Sequence, residues 1–276
     1  MKKNQLPLAW TWPTVACVAL LVLSGCAARS GGGVAGGNNG GSRDLVTASD
    51  ESDASKRARI RYELAMGYFE EGKTTVALDE LKQVLLLVPN SVDAWILRGL
   101  IYMRMDEKVF AEDSFRRAQA LQPGNGLVAH NYGWLLCQQK RYGEAVAQFQ
   151  RAAATGYAGA ARSYMNMGIC QVEAGQKAQA EESFRRSVEM EPTNPISGYN
   201  LALIMYQRGN YEQARFYIRR INNGDYANAE TLWLGVRVEH ALQNRVAEQQ
   251  LASQLRSRFA ASNEASLLDR GAFDEQ

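Results

Sequence analysis

Through the middle of the chain, small and apolar residues return at helical spacing. From Val92 the order is Trp95, Gly99 and Tyr102, then a polar break, then Ala111, Phe115, Ala118 and Pro123. Steps of three and four residues put each set on one helix face, so the stretch predicts two helices joined by a turn. The pattern recurs at a fixed period. Pro89 and Pro123 are 34 residues apart, and Pro123 and Pro192 are 69 apart, which is 34 plus 35.

Aligning the chain on these prolines brings the remaining positions into step. The stretch near 58–91 carries Leu64, Ala65, Tyr68, Gly72, Ala77, Leu81 and Pro89. After 92–125, the stretch near 126–160 carries Tyr132, Gly133, Leu136, Ala145, Phe149 and Ala152. Met167, Gly168, Gly175, Ala180, Phe184 and Pro192 follow near 161–194. Leu201, Ala202, Gly209, Ala214 and Ile218 follow near 195–227, and a weaker set near 228–260 has Leu234, Gly235, Ala247 and Leu251. The period and the order W-x3-G-x2-Y…A-x3-F-x2-A-x4-P resemble the tetratricopeptide repeat. The resemblance implies an all-α fold, a right-handed superhelical solenoid of about six helix-turn-helix repeats over 57–260. Gly99, Gly133 and Gly168 are expected to let the first helix of a unit approach the second, with Phe115, Phe149 and Phe184 filling the space between. Proline closes the second helix because it cannot continue one. Residues 261–276 read as a C-terminal tail in which Leu267-Leu268 suggests a short capping helix.

The first 56 residues lack this pattern. Lys2 and Lys3 precede an apolar stretch, Val15 to Leu23, broken by Cys17, and Leu23-Ser24-Gly25-Cys26 follows. A basic start, a short apolar stretch and small residues before a cut read as a secretory signal over 1–25. Leu-Ser-Gly-Cys resembles the bacterial lipobox, which implies acylation of Cys26 and anchoring by more than one lipid chain. Ala27 stands where an Asp marks inner-membrane retention in enteric lipoproteins, so the implied address is the outer membrane, with the repeats in the periplasm. Residues 26–56 are rich in Gly, Ser and Asn and read as a flexible tether with an r.m.s. span of roughly 30 Å.

In a repeat stack of this kind the first helix of each unit lines the inner wall. Positions 2, 5, 9 and 12 of the repeats give Tyr62, Met66 and Phe69, then Ile96, Leu100 and Met103. They continue with His130, Trp134 and Cys137, then Met165, Ile169 and Val172, then Tyr199, Leu203 and Tyr206. Some of these pack between helices; the others make an apolar, aromatic groove suited to a polypeptide partner. Position 6 reads Asn131, Asn166 and Asn200 in successive repeats. A primary amide donates and accepts, so this row fits either the backbone of an extended peptide or bonds between neighbouring helices.

Charge and chemistry narrow the function. Removing residues 1–25 takes Lys2 and Lys3 from 31 basic residues, leaving 29 against 29 acidic ones. With no basic run, nucleic acid is not an expected partner. The two histidines, His130 and His240, stand in distant repeats and read as groove or surface residues. No H-E-x-x-H, C-x-x-C, G-x-S-x-G or Walker pattern is present, so no enzyme, metal, cofactor or small-molecule substrate is expected. Cys137 and Cys170 fall on the first helices of adjacent repeats. The oxidising periplasm favours a bridge between them, the alternative being two buried thiols.

The block His130-Asn131-Tyr132-Gly133-Trp134-Leu135-Leu136-Cys137, with Arg141-Tyr142 and Glu144-Ala145, resembles the N-N-Y-G-x-F-L-C…R-Y-x-E-A block of the type IV pilus biogenesis/stability lipoproteins, the PilW/PilF family. Asn166-Met167-Gly168-Ile169-Cys170, with Gly175 and Ala180, is similar to that family's next block. His130 replaces the usual Asn, and Leu135 a common Phe. The resemblance implies a pilotin: a lipid-anchored protein that binds pilus secretin subunits and helps them reach the outer membrane and multimerise. A scaffold for outer-membrane protein insertion or cell-wall synthesis, or an adaptor of a periplasmic hydrolase, are the other readings.

Overall fold

The computed structural model describes residues 52–273, which lie in one compact unit. The signal segment, Cys26 and most of the tether fall outside the described residues. Thirteen helices and no strand occur among the described residues. They are α1 (Asp53–Glu70), α2 (Thr74–Leu87), α3 (Val92–Arg104), α4 (Lys108–Leu121), α5 (Gly126–Gln138), α6 (Tyr142–Ala154) and α7 (Ala160–Glu173). After them come α8 (Lys177–Met190), α9 (Pro195–Gln207), α10 (Tyr211–Asn222), α11 (Ala229–Ala241), α12 (Arg245–Arg258) and α13 (Asn263–Asp269). Consecutive pairs from α1·α2 to α11·α12 make six repeats, and the molecule is an all-α repeat solenoid. The first helix begins at Asp53 and not at 57, because Ser52 caps it by accepting from the Ser55 N–H.

Local chemistry explains where the helices start and stop. Ser91, Asn125, Asn194 and Asn228 accept first-turn N–H groups at the starts of α3, α5, α9 and α11. Each such cap stabilises its helix by about 1 kcal/mol. Between the two helices of every repeat one residue adopts positive φ: Gly72, Gly175 and Gly209, and also Asp106, Lys140 and Gln243. This left-handed step lets the next N–H reach back into the first helix, as Arg141 N–H does to Leu136 O at 2.9 Å.

Within each repeat the two helices close on a paired small and large residue. Gly99 faces Phe115, Gly133 faces Phe149 and Gly168 faces Phe184, and all three rings are fully buried. The outer repeats pack smaller volumes at the same places, Ala65 with Leu81 and Ala202 with Ile218. The apolar clusters run on from one repeat to the next, since no single pair encloses its own core.

Polar links mark the joins between repeats. Arg104 donates to Phe69 O at 2.5 Å between the first and second repeats. Glu112 takes Arg141 at 2.8 Å and the Tyr132 hydroxyl at 2.9 Å between the second and third. Cys137 on α5 and Cys170 on α7 are disulfide-bonded, with Cα atoms 5.8 Å apart, between the third and fourth. Glu181 pairs with Arg208 between the fourth and fifth, and buried Glu239 with Arg219 at 2.9 Å between the fifth and sixth.

Candidate functional site

The odd-numbered helices from α1 to α11 each touch the next odd helix, whereas no even helix touches the next even one. The odd helices therefore form the close-set inner row, and their outward-facing residues form its wall. Tyr62, Met103, Trp134, Met165, Tyr199 and Tyr206 are half-buried, and Met66 and Val172 are exposed there. Each aromatic ring lays one side on the core clusters and offers the other to the wall.

Three residues at expected groove positions are placed otherwise, one of them the buried, disulfide-bonded Cys137. Ile96 is only 5% exposed and packs in the core with Val128 and Tyr132, in the seam between the second and third repeats. His130, at the same repeat position, is also 5% exposed and lies in the next seam. Its Nδ1 lies 2.8 Å from Ser163 Oγ, and its ring meets Phe149 edge-on. Side chains at this position turn into the seam when short or compact, and reach the wall as Tyr62, Met165 and Tyr199 do when long. Burial, assisted by Arg162, lowers the His130 pKa from 6.5 to about 4. In the tautomer that carries its proton on Nδ1, the neutral ring donates to Ser163 and accepts a 3.5 Å contact from Asn166 Nδ2.

The asparagine row is not uniform. Asn166 spends an amide hydrogen on His130, and Asn200 spends one on Ile196 O of its own helix at 2.8 Å. Asn131 has no side-chain partner among the described residues. Among the described residues no donor meets the amide oxygen of any of the three, so each keeps an acceptor for a peptide N–H.

Residues not singled out from the sequence complete the wall. Stepping 34 residues from Tyr199 and Leu203 leads to Trp233 and Arg237 on α11. With Tyr199, Leu203 and Gln207 of α9 they line a cavity of about 210 Å³. Helix α13 adds Asn263, Glu264 and Leu267 to its lining. Burial raises the Tyr199 pKa, and Glu230 raises it further. A wider cleft of about 700 Å³ opens between α2 and α3, walled by Leu78, Leu85, Leu86, Trp95 and Tyr102. Arg98 lies over both Trp95 and Tyr102.

Known proteins share this arrangement. The tetratricopeptide repeat family model matches residues 62–126 and 165–226. The type IV pilus assembly protein PilF of Pseudomonas aeruginosa is 28% identical over 233 residues, covering 84% of this chain and 92% of that protein. The solved structure of Pseudomonas aeruginosa PilF matches with a TM-score of 0.71 at 27% identity, over 80% of this chain and all 100% of that one. The crystal structure of PilW, a widely conserved type IV pilus biogenesis factor, matches with a TM-score of 0.65 at 29% identity, over 76% of this chain and 97% of that one. The chain is a tetratricopeptide-repeat protein of the PilF/PilW type.

Proposed function

We propose that this protein serves type IV pilus biogenesis as a pilotin. It is lipid-anchored through Cys26 in the outer membrane, holds its repeats in the periplasm, binds secretin subunits and promotes their localisation and multimerisation. It works by binding, without catalysis. The observation that carries this reading is the likeness to PilF across 92% of that protein's length, which takes in the whole repeat array and not one motif. The inner wall supports it, with aromatic faces beside three amide oxygens that no donor among the described residues occupies. Peptide backbone then binds the amide row, and side-chain choice falls to the apolar wall between.

A strain lacking the gene is expected to lose heat-stable secretin multimers, surface pili and twitching motility, and the wild-type gene to restore all three. Unchanged multimers in that strain would refute the pilotin reading. An Asn131/Asn166/Asn200→Ala protein is expected to retain its fold and to capture less secretin in a pull-down. Equal capture would remove the amide row from the mechanism and leave the pilotin reading intact.

A further inference from the structure

In the sixth repeat the chain covers its own wall positions. Stepping 34 residues from Tyr199 and Tyr206, two rings of the inner wall, leads to Trp233 and His240 on α11. Phe273, beyond α13, lies on both. Its ring is stacked on the His240 imidazole, with centres 3.9 Å apart and planes 5° apart, and on the Trp233 indole at 5.6 Å and 24°. Arg237, between the two on α11, lies over the Tyr206 ring at 4.6 Å, so the covered patch is continuous with the wall of the fifth repeat. Tyr199 and Tyr206 are half-buried, whereas Trp233 is 5% exposed.

The covering ring is held less firmly than the helix before it. Ala265, Leu267 and Leu268 of α13 are buried, and Asp269 pairs with Arg256 at 2.7 Å. Gly271, at φ of 67°, turns the chain back, and the Ala272 N–H bonds to Leu267 O at 3.0 Å. Phe273 itself is half-buried and makes no hydrogen bond among the described residues, so ring stacking holds it in place. Swinging it out needs rotation only about the backbone bonds of Ala272 and Phe273, with α13 unmoved.

We propose that Phe273 is a built-in, displaceable occupant of the inner wall, and that the Trp233–His240 slot beneath it binds an aromatic side chain of a partner polypeptide. The slot presents two flat ring faces on one side of α11, and the occupant it already holds is a flat apolar ring. Aromatic rings prefer such offset and parallel faces to the irregular surface of an aliphatic side chain. An occupant on the same chain competes at a high effective concentration. A tail that covers the slot about nine-tenths of the time weakens the partner about tenfold. The slot is separate from the asparagine row and does not depend on which partner the row holds.

The test uses the full chain and no secretin, so its failure leaves the pilus reading standing. Fluorescein-labelled, amidated Ser-Gly-Ala-Phe-Gly-Ser, and a counterpart with Leu in place of Phe, are titrated by fluorescence anisotropy. The Phe peptide is expected to bind Phe273→Ala about tenfold more tightly than the unaltered chain. The Leu peptide is expected to bind Phe273→Ala more weakly than the Phe peptide does. Adding His240→Ala to Phe273→Ala is expected to cancel the gain. In parallel, fluorine NMR follows a chain that carries para-fluorophenylalanine at position 273. Its signal is expected to move towards the unstacked position as the Phe peptide is added, and to stay in place with the Leu peptide. Should Phe273→Ala fail to fold, the fluorine signal decides the matter alone. Equal affinity of the Phe peptide for the two chains, no binding to either, equal binding of the Phe and Leu peptides, or a gain that survives His240→Ala would each overturn the proposal. A lower melting temperature for Phe273→Ala with no gain in binding would likewise overturn it, leaving Phe273 as an end cap.

Discussion

Gly168 on α7 faces Phe184 on α8 so closely that a β-carbon on Gly168 would stand 2.7 Å from the ring. The third and second repeats repeat the relationship at 3.0 Å, Gly133 to Phe149, and 2.6 Å, Gly99 to Phe115. A methyl group there must displace a fully buried ring or push the two helices apart. We expect Gly168→Ala to lower stability by about 1–3 kcal/mol, the usual effect of overpacking. Adding Phe184→Leu should recover part of that loss. Urea unfolding of the two single variants and the double variant measures the coupling; strictly additive losses would show that the pair does not act as a unit.

Lys140 holds φ of 61° where the equivalent turns of three other repeats have glycine. An L-residue in that region is disfavoured by about 1–2 kcal/mol. Lys140→Gly is therefore expected to raise the unfolding free energy by about 1 kcal/mol, reduced by the greater freedom of glycine in the unfolded chain. A lower thermal midpoint for this variant would show that the lysine side chain contributes more than the backbone strain removes.

His130 makes stability depend on pH. Burial, assisted by Arg162, lowers its pKa to about 4 in the folded protein, against about 6.5 in an unfolded chain. Between these values the unfolded chain holds more protons, so stability falls as pH falls through this window and is unaffected by this group above it. The loss reaches up to about 3 kcal/mol by pH 4. Urea midpoints at pH 7.5 and pH 4.5 are expected to differ less for His130→Asn than for the unaltered chain. Identical pH slopes for the two proteins would assign the acid sensitivity elsewhere.

Cys137 and Cys170 close a loop with a sequence separation of 33. Loop-closure entropy for a span of this size corresponds to about 3–4 kcal/mol. The Cys137→Ser/Cys170→Ser double variant is expected to unfold at a correspondingly lower denaturant concentration. Thiol titration of the unreduced, denatured protein is expected to find neither cysteine free; two reactive thiols would contradict the bridge.

The repeat frame was legible because its determinants are local. Gly168 and Phe184, or Gly99 and Phe115, keep a fixed distance in the chain and meet in space for that reason. The seams between repeats were harder to read. Ile96 and His130 share their repeat position with Tyr62, Met165 and Tyr199, and only side-chain length and the next helix decide which of them reach the wall. Trp233 and Arg237 followed from the same period, but the sixth repeat has the weakest pattern, and no spacing rule places α13 against α11 and α12. The start of α1 was obscured because Ser52 and Asp53, a helix cap and its first residue, have the same composition as a linker.

Every helix in the stack touches only those one or two places along the chain. A structure joined only through neighbours stretches like a coil spring: a few degrees of rotation at each seam change the inner radius without rupturing any contact. The disulfide stiffens the seam between α5 and α7, and α13 stiffens the end. Compliance is left to the seams without a covalent link, so a change of inner radius falls on them while the bridged seam keeps its pitch.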